Sequence, residues 1–108
     1  MNSALSSEFV IPANHPALAG HFPGQPVVPA VVLLDAVLAA IRARQACVLH
    51  SIPVAKFLHP VLPEERIDLR IQVTAMEAAK LRASFQGFRA GSVVFEGSFV
   101  VSAPDLRP

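Results

Sequence analysis

Hydrophobic and polar residues alternate most strictly over Arg66–Thr74, where Ile67, Leu69, Ile71 and Val73 fall on one face and Arg66, Asp68, Arg70 and Gln72 on the other. A period of two predicts an antiparallel strand with one buried side. Strands are also expected over Val48–Leu58, Lys80–Phe88 and Ser92–Ser102. Arg89-Ala-Gly91 reads as a hairpin turn between the last two, and Pro60–Glu65 as a turn before Arg66. Near the start, Glu-Phe-Val-Ile-Pro at 8–12 predicts a short strand ended by proline.

The stretch from Ala13 to Pro29 is broken by Pro16, Pro23 and Pro26 and by Gly20 and Gly24, which predicts a long shaped loop. Loops of this length inside a small domain usually carry function. Proline is tolerated at a first helical turn, and Ala30–Arg44 then runs without a breaker. Valines at 31, 32 and 37 slightly disfavour a helix, so this expectation rests on length and punctuation. Apolar residues fill nearly every position up to Arg42, which predicts a helix covered on most sides. Arg42 and Arg44 suit the negative end of its dipole. The order is strand, loop, one apolar helix, then further strands. It predicts an α+β architecture in which a curved antiparallel sheet wraps around a long central apolar helix.

At 108 residues the chain is expected to form a single domain, 1–108. It is 53% hydrophobic and 16% charged, against about 25% charged for an average domain, and its mean hydropathy is +0.49. So much apolar surface on so small a chain predicts a large hydrophobic interface, and a symmetric homodimer is the simplest way to supply it. The formal net charge is +1 with both signs interspersed, and Trp and Tyr are absent, so no nucleic-acid partner is expected. The single cysteine, Cys47, leaves no intramolecular disulfide and fits a reducing cytoplasm. The first residues lack a basic segment followed by an apolar one, so no secretory signal is read there. The longest apolar run, Pro26–Ile41, is about 16 residues and shorter than a membrane span requires.

His21 and Asp35 are the ionisable side chains in the most apolar part of the chain. Burying a charge there is costly, so their presence points to use as an acid–base pair. The remaining histidines carry less. His15 lies in an Asn-His-Pro turn, while His50 and His59 lie on or beside a strand without the paired spacing of metal ligands. Cys47 reads as a small buried apolar residue rather than a nucleophile.

The segment from His15 to Asp35, containing Gly20-His-Phe-Pro-Gly24, resembles the active-site segment of the hotdog-fold β-hydroxyacyl-acyl-carrier-protein dehydratases, the FabA/FabZ group. Val54-Ala-Lys-Phe-Leu-His-Pro-Val-Leu-Pro63 is similar to the strand and turn that follow the helix in that family, and the resemblance covers roughly residues 8–103. It implies the hotdog fold, a homodimer with joined sheets, and sites that pair His21 of one subunit with Asp35 of the other. The implied partner is acyl carrier protein bearing a 3-hydroxyacyl-phosphopantetheine. Lys56, Arg42 and Arg44 are candidates to meet an acidic carrier, though solvated surface charge explains them equally well.

The implied reaction removes water from a 3-hydroxyacyl thioester and leaves a trans-2-enoyl thioester. His21 would take the C2 proton, and Asp35 would protonate the departing hydroxyl, a donation that an apolar setting favours. The Ala30 N–H would hold the thioester carbonyl at the helix N-terminus. Val28, Pro29 and Val31 would line the pocket. No cofactor or metal is called for. Ala30 stands where the family usually has glycine, and Ala39 where many members have glutamine. Two alternatives stay open: a hotdog thioesterase in which the helical acid activates water, and a non-catalytic hotdog that binds acyl carrier protein. A hydratase with the acid before the histidine does not fit this order.

Overall fold

A computed structural model describes residues 2–18 and 27–102. Strand β1 (Asn2–Val10) leads through a 3-10 turn at Pro16–Leu18. Helix α1 (Ala30–Arg42) follows, then β2 (Val48–Phe57), β3 (Arg66–Ala75), β4 (Lys80–Arg89) and β5 (Ser92–Ser102). The strands form one antiparallel sheet of 5 strands in the order β1-β3-β4-β5-β2. This is the expected α+β hotdog architecture, a curved sheet with the helix on its inner side. No helix among the described residues is long and apolar enough to cross a membrane.

The alternation in β3 does what its period implies: Ile67, Leu69 and Ile71 are buried, while Arg66, Arg70 and Gln72 are exposed. These side chains meet Val32, Leu33, Val37 and Ile41 from one face of α1. Phe95 on β5 is the centre of an aromatic cluster, with ring centroids 6.4 Å from Phe9, 6.2 Å from Phe57 and 6.1 Å from Phe85. Residues from β1, β2 and β4 thus converge on one ring, which helps to draw the sheet into a curve. Gly87, paired with Phe95, makes room for that ring; a Cβ there would overlap it. Residues Ala90 and Gly91 have φ of 50° and 85°, the left-handed pair that a tight two-residue hairpin requires.

Three expectations need correction. Strand β1 begins at Asn2 rather than near Glu8 and ends at Val10, because each of its residues pairs with β3 over Arg66–Thr74. Tertiary pairing outweighs the weak strand preference of Asn-Ser-Ala-Leu-Ser-Ser. Helix α1 ends at Arg42, and Ala43 and Gln45 close it by donating to Ala39 and Ile41 carbonyls. The helix is also not covered on most sides within one chain. Val31, Asp35 and Ala39, four residues apart, form an exposed stripe opposite the packed face.

β2 is an edge strand whose residues are exposed apart from the half-buried Leu49. Val48, Ile52, Val54 and Phe57 are each more than two-fifths exposed. Its pairing with β5 shifts register between Leu49 and Ser51 and again between Ser51 and Val54. Pro53, which cannot donate to a ladder, lies in the second interval; proline is tolerated at such edges and bulges.

Candidate active site

The chain enters α1 through residues held from both sides. Val28 is buried, and its N–H donates to the Val61 carbonyl at 2.8 Å. Pro29 is the N-cap, with φ −61° and ψ 148° and no side-chain cap bond. Ala30 therefore opens the helix with an amide N–H that has no partner within the helix, at the end where the dipole favours developing negative charge.

The segment facing this helix end is fixed as firmly. Leu58 and His59 both donate their backbone N–H to the Val94 carbonyl, at 2.8 and 3.2 Å. Arg89 Nη1 donates to the Pro60 carbonyl at 2.7 Å and to Glu65 Oε1 at 2.9 Å. Glu65 Oε1 also accepts the Leu62 N–H at 2.7 Å. The turn is thereby pinned to β4 and β5.

Between these two walls runs an open groove of about 310 Å³. Val27, Val28, Ala30 and Leu33 line one side and Phe57, Leu58, His59, Pro60 and Val61 the other. Among the described residues, every lining side chain is hydrocarbon except the His59 imidazole.

The structure distributes the expected site residues unevenly. Val28 and Ala30 line the groove. Pro29 is half-buried as the helix cap and does not line it. Val31 is 62% exposed and belongs to the outward stripe with Asp35. Asp35 is exposed, and among the described residues its carboxylate has no hydrogen bond or ion pair. The apolar setting expected for this acid is not supplied by the described residues of its own chain, because helical periodicity turns it away from the sheet. His21 lies outside the described residues. Sequence reasoning missed the Phe57–Val61 wall as a lining element, although the similarity of 54–63 to a family segment had marked it.

A family model described as ApeI dehydratase, ApeI-like, matches residues 1–98. The chain belongs to the ApeI-like dehydratase family. It is 32% identical over 105 residues to the 3-hydroxyacyl-[acyl-carrier-protein] dehydratase FabZ of Anaeromyxobacter sp. (strain Fw109-5). That alignment takes in 85% of this chain and 66% of the relative, so the chain spans about two thirds of the relative's length. Among solved structures, the dehydratase heterocomplex ApeI:P from Xenorhabdus doucetiae superposes with a TM-score of 0.72 at 18% identity, covering 94% of each chain. A 1,4-dihydroxy-2-naphthoyl-CoA thioesterase from Synechocystis superposes with a TM-score of 0.76 at 13% identity, covering 93% of this chain and 81% of that one. At such identities the two superpositions speak to the fold alone, which dehydratases and thioesterases share. Membership in the ApeI-like family favours dehydration over hydrolysis.

Proposed function

We propose that this ApeI-like protein acts as a homodimer that dehydrates 3-hydroxyacyl groups carried on acyl carrier protein. The observation that carries the reading is the position of Asp35. It is an acid on an exposed, otherwise apolar helix stripe, outside the groove that its own helix start helps to build. A carboxyl so placed is available to a second protomer, and the long exposed β2 edge is a ready surface for that protomer to pair with. In this dimer the β2 edges join, the Val31–Asp35–Ala39 stripes face one another, and Asp35 of one copy meets His21 of the other.

In the proposed step, the His21 imidazole removes the C2 proton and the electron pair forms the C2=C3 bond. The C3 hydroxyl leaves as water after taking the Asp35 proton. Imidazolium and carboxylate remain, and one proton must pass back before the next turnover. The Ala30 N–H stabilises the enolate-like oxygen, a task suited to a fixed amide at a helix N-terminus. Ala30 keeps the amide that a glycine would supply and adds only a methyl to the groove wall.

The test is a 3-hydroxyacyl thioester assay on the purified protein. Dehydration gives a conjugated enoyl absorbance and water, whereas hydrolysis gives free thiol. A protein that produces free thiol alone, or that binds the carrier without turnover, refutes the proposal.

A further inference from the structure

The groove at the start of α1 contains an imidazole that the proposed chemistry does not use. Among the described residues that line it, His59 is the one with a polar side chain, on the wall opposite Ala30. The residue is exposed, and among the described residues its ring makes no hydrogen bond. Its backbone, by contrast, is immobilised. The His59 N–H is bonded to Val94, and the next carbonyl, that of Pro60, accepts from Arg89. An exposed imidazole carried by a fixed backbone on the wall of an apolar channel is an arrangement for meeting a polar group of whatever the channel holds.

Resting on the reading above, the occupant is an acyl thioester on a pantetheine arm. On the acyl side of that molecule the C3 hydroxyl is taken up by the acid–base pair, and on the pantetheine side the first polar group is the amide two methylenes beyond sulfur. With the thioester carbonyl on the Ala30 amide, the described lining of the groove offers one polar side chain, that of His59. We infer that His59 hydrogen-bonds the cysteamine amide of the arm, and so serves as a positioning residue that selects amide-bearing thioesters and sets the reach of the acyl group toward the acid–base pair. A neutral imidazole suits this task, because it offers one donor and one acceptor to a group that also has one of each.

The experiment compares an unreactive S-alkyl N-acetylcysteamine thioether with the matching thioether in which hydrocarbon replaces the amide. Binding of each to the wild-type protein, His59→Ala and His59→Gln is followed by NMR shift titration. The wild type is expected to favour the amide-bearing probe about five- to tenfold, the scale of one net hydrogen bond. His59→Ala brings the ratio close to one, and His59→Gln restores most of it. In turnover of 3-hydroxyacyl N-acetylcysteamine, His59→Ala raises KM by a similar factor and changes kcat by less than twofold.

A ratio unaltered in His59→Ala, or absent from the wild type, overturns the assignment. So does a collapse of kcat in His59→Ala, since that makes His59 a chemical participant. If the wild type yields no enoyl product yet shows the expected binding ratios, the dehydratase reading fails while the role of His59 stands.

Discussion

The Val28 N–H donates to the Val61 carbonyl at 2.8 Å, a bond across 33 residues of sequence (61 − 28) that ties the start of the helix to the turn after β2. It sets the width of the groove, because Ala30 follows Val28 by two positions and His59 precedes Val61 by two. Residues on the two sides of this bond form the two walls of the candidate site. Several consequences of the architecture can be measured.

Asp35→Asn and His21→Ala should each reduce enoyl formation about 10²- to 10⁴-fold, the usual contribution of one general acid or base. Asp35 is exposed and unbonded among the described residues, so Asp35→Asn should leave the thermal midpoint of the isolated chain almost unchanged. Paired turnover and melting measurements decide the matter, and substantial enoyl formation by either variant would remove that residue from the mechanism.

The β2 edge should be the dimer seam. Ile52→Lys together with Val54→Lys sets like charges along an edge that is now apolar, a device that discourages strand pairing. Light scattering should show the wild type at twice the chain mass and the double variant as a monomer without turnover. A wild type that is monomeric at assay concentrations would contradict the shared site.

Gly97 should tolerate no side chain. A Cβ there would collide with the Val54 backbone carbonyl and the Phe85 ring, and backbone on the paired strand cannot swing aside as a side-chain tip can. Gly97→Ala is expected to cost about 1–3 kcal/mol by overpacking and to loosen β2 from β5. Denaturant unfolding measures the cost, and amide exchange in β2 shows where it falls.

The β3–β4 turn should be improvable. Ala78 and Ala79 have φ of 61° and 58°, left-handed backbone that a Cβ disfavours by roughly 1–2 kcal/mol per residue. Changing Ala79 to glycine relieves that strain but gives back some unfolded-state entropy, for a net gain of about 0.5–1 kcal/mol. The thermal midpoint should rise by a few degrees with turnover unaffected, since the turn is not part of the groove.

Arg89 should matter beyond its charge. Its guanidinium joins the Pro60 carbonyl to Glu65, and both side chains are about two-thirds buried, at 34% and 28% exposed. Arg89→Met is expected to cost about 1–2 kcal/mol, the range for charge-assisted bonds only partly shielded from water. It should also raise KM by freeing the wall that carries His59. Glu65→Gln, which keeps an acceptor, should do less to both quantities.

Much of the architecture was written in local pattern. The period of two in Arg66–Thr74 named the buried face of β3 residue by residue, Pro29 marked the start of α1, and Ala90-Gly91 marked the last hairpin. Each depends on backbone preference or side-chain spacing within one element, so neighbouring residues suffice to specify it. The segment around His21 and the acid at Asp35 carried the family resemblance for the same reason.

Other features depended on partners distant in sequence. Asn2–Ser7 has little strand preference of its own and becomes β1 only because β3 offers it a ladder. A helix apolar nearly all round gives no hint of which side will pack, so the outward stripe of Val31, Asp35 and Ala39 had to await the sheet. His59 looked like an ordinary strand-end histidine until the turn folded back against Ala30. Local chemistry determined which elements form, β1 apart, and which residues are chemically able. Outside β3, long-range packing decided which of them face water, one another or the groove, because those choices are made by surfaces that meet only when the chain has closed on itself.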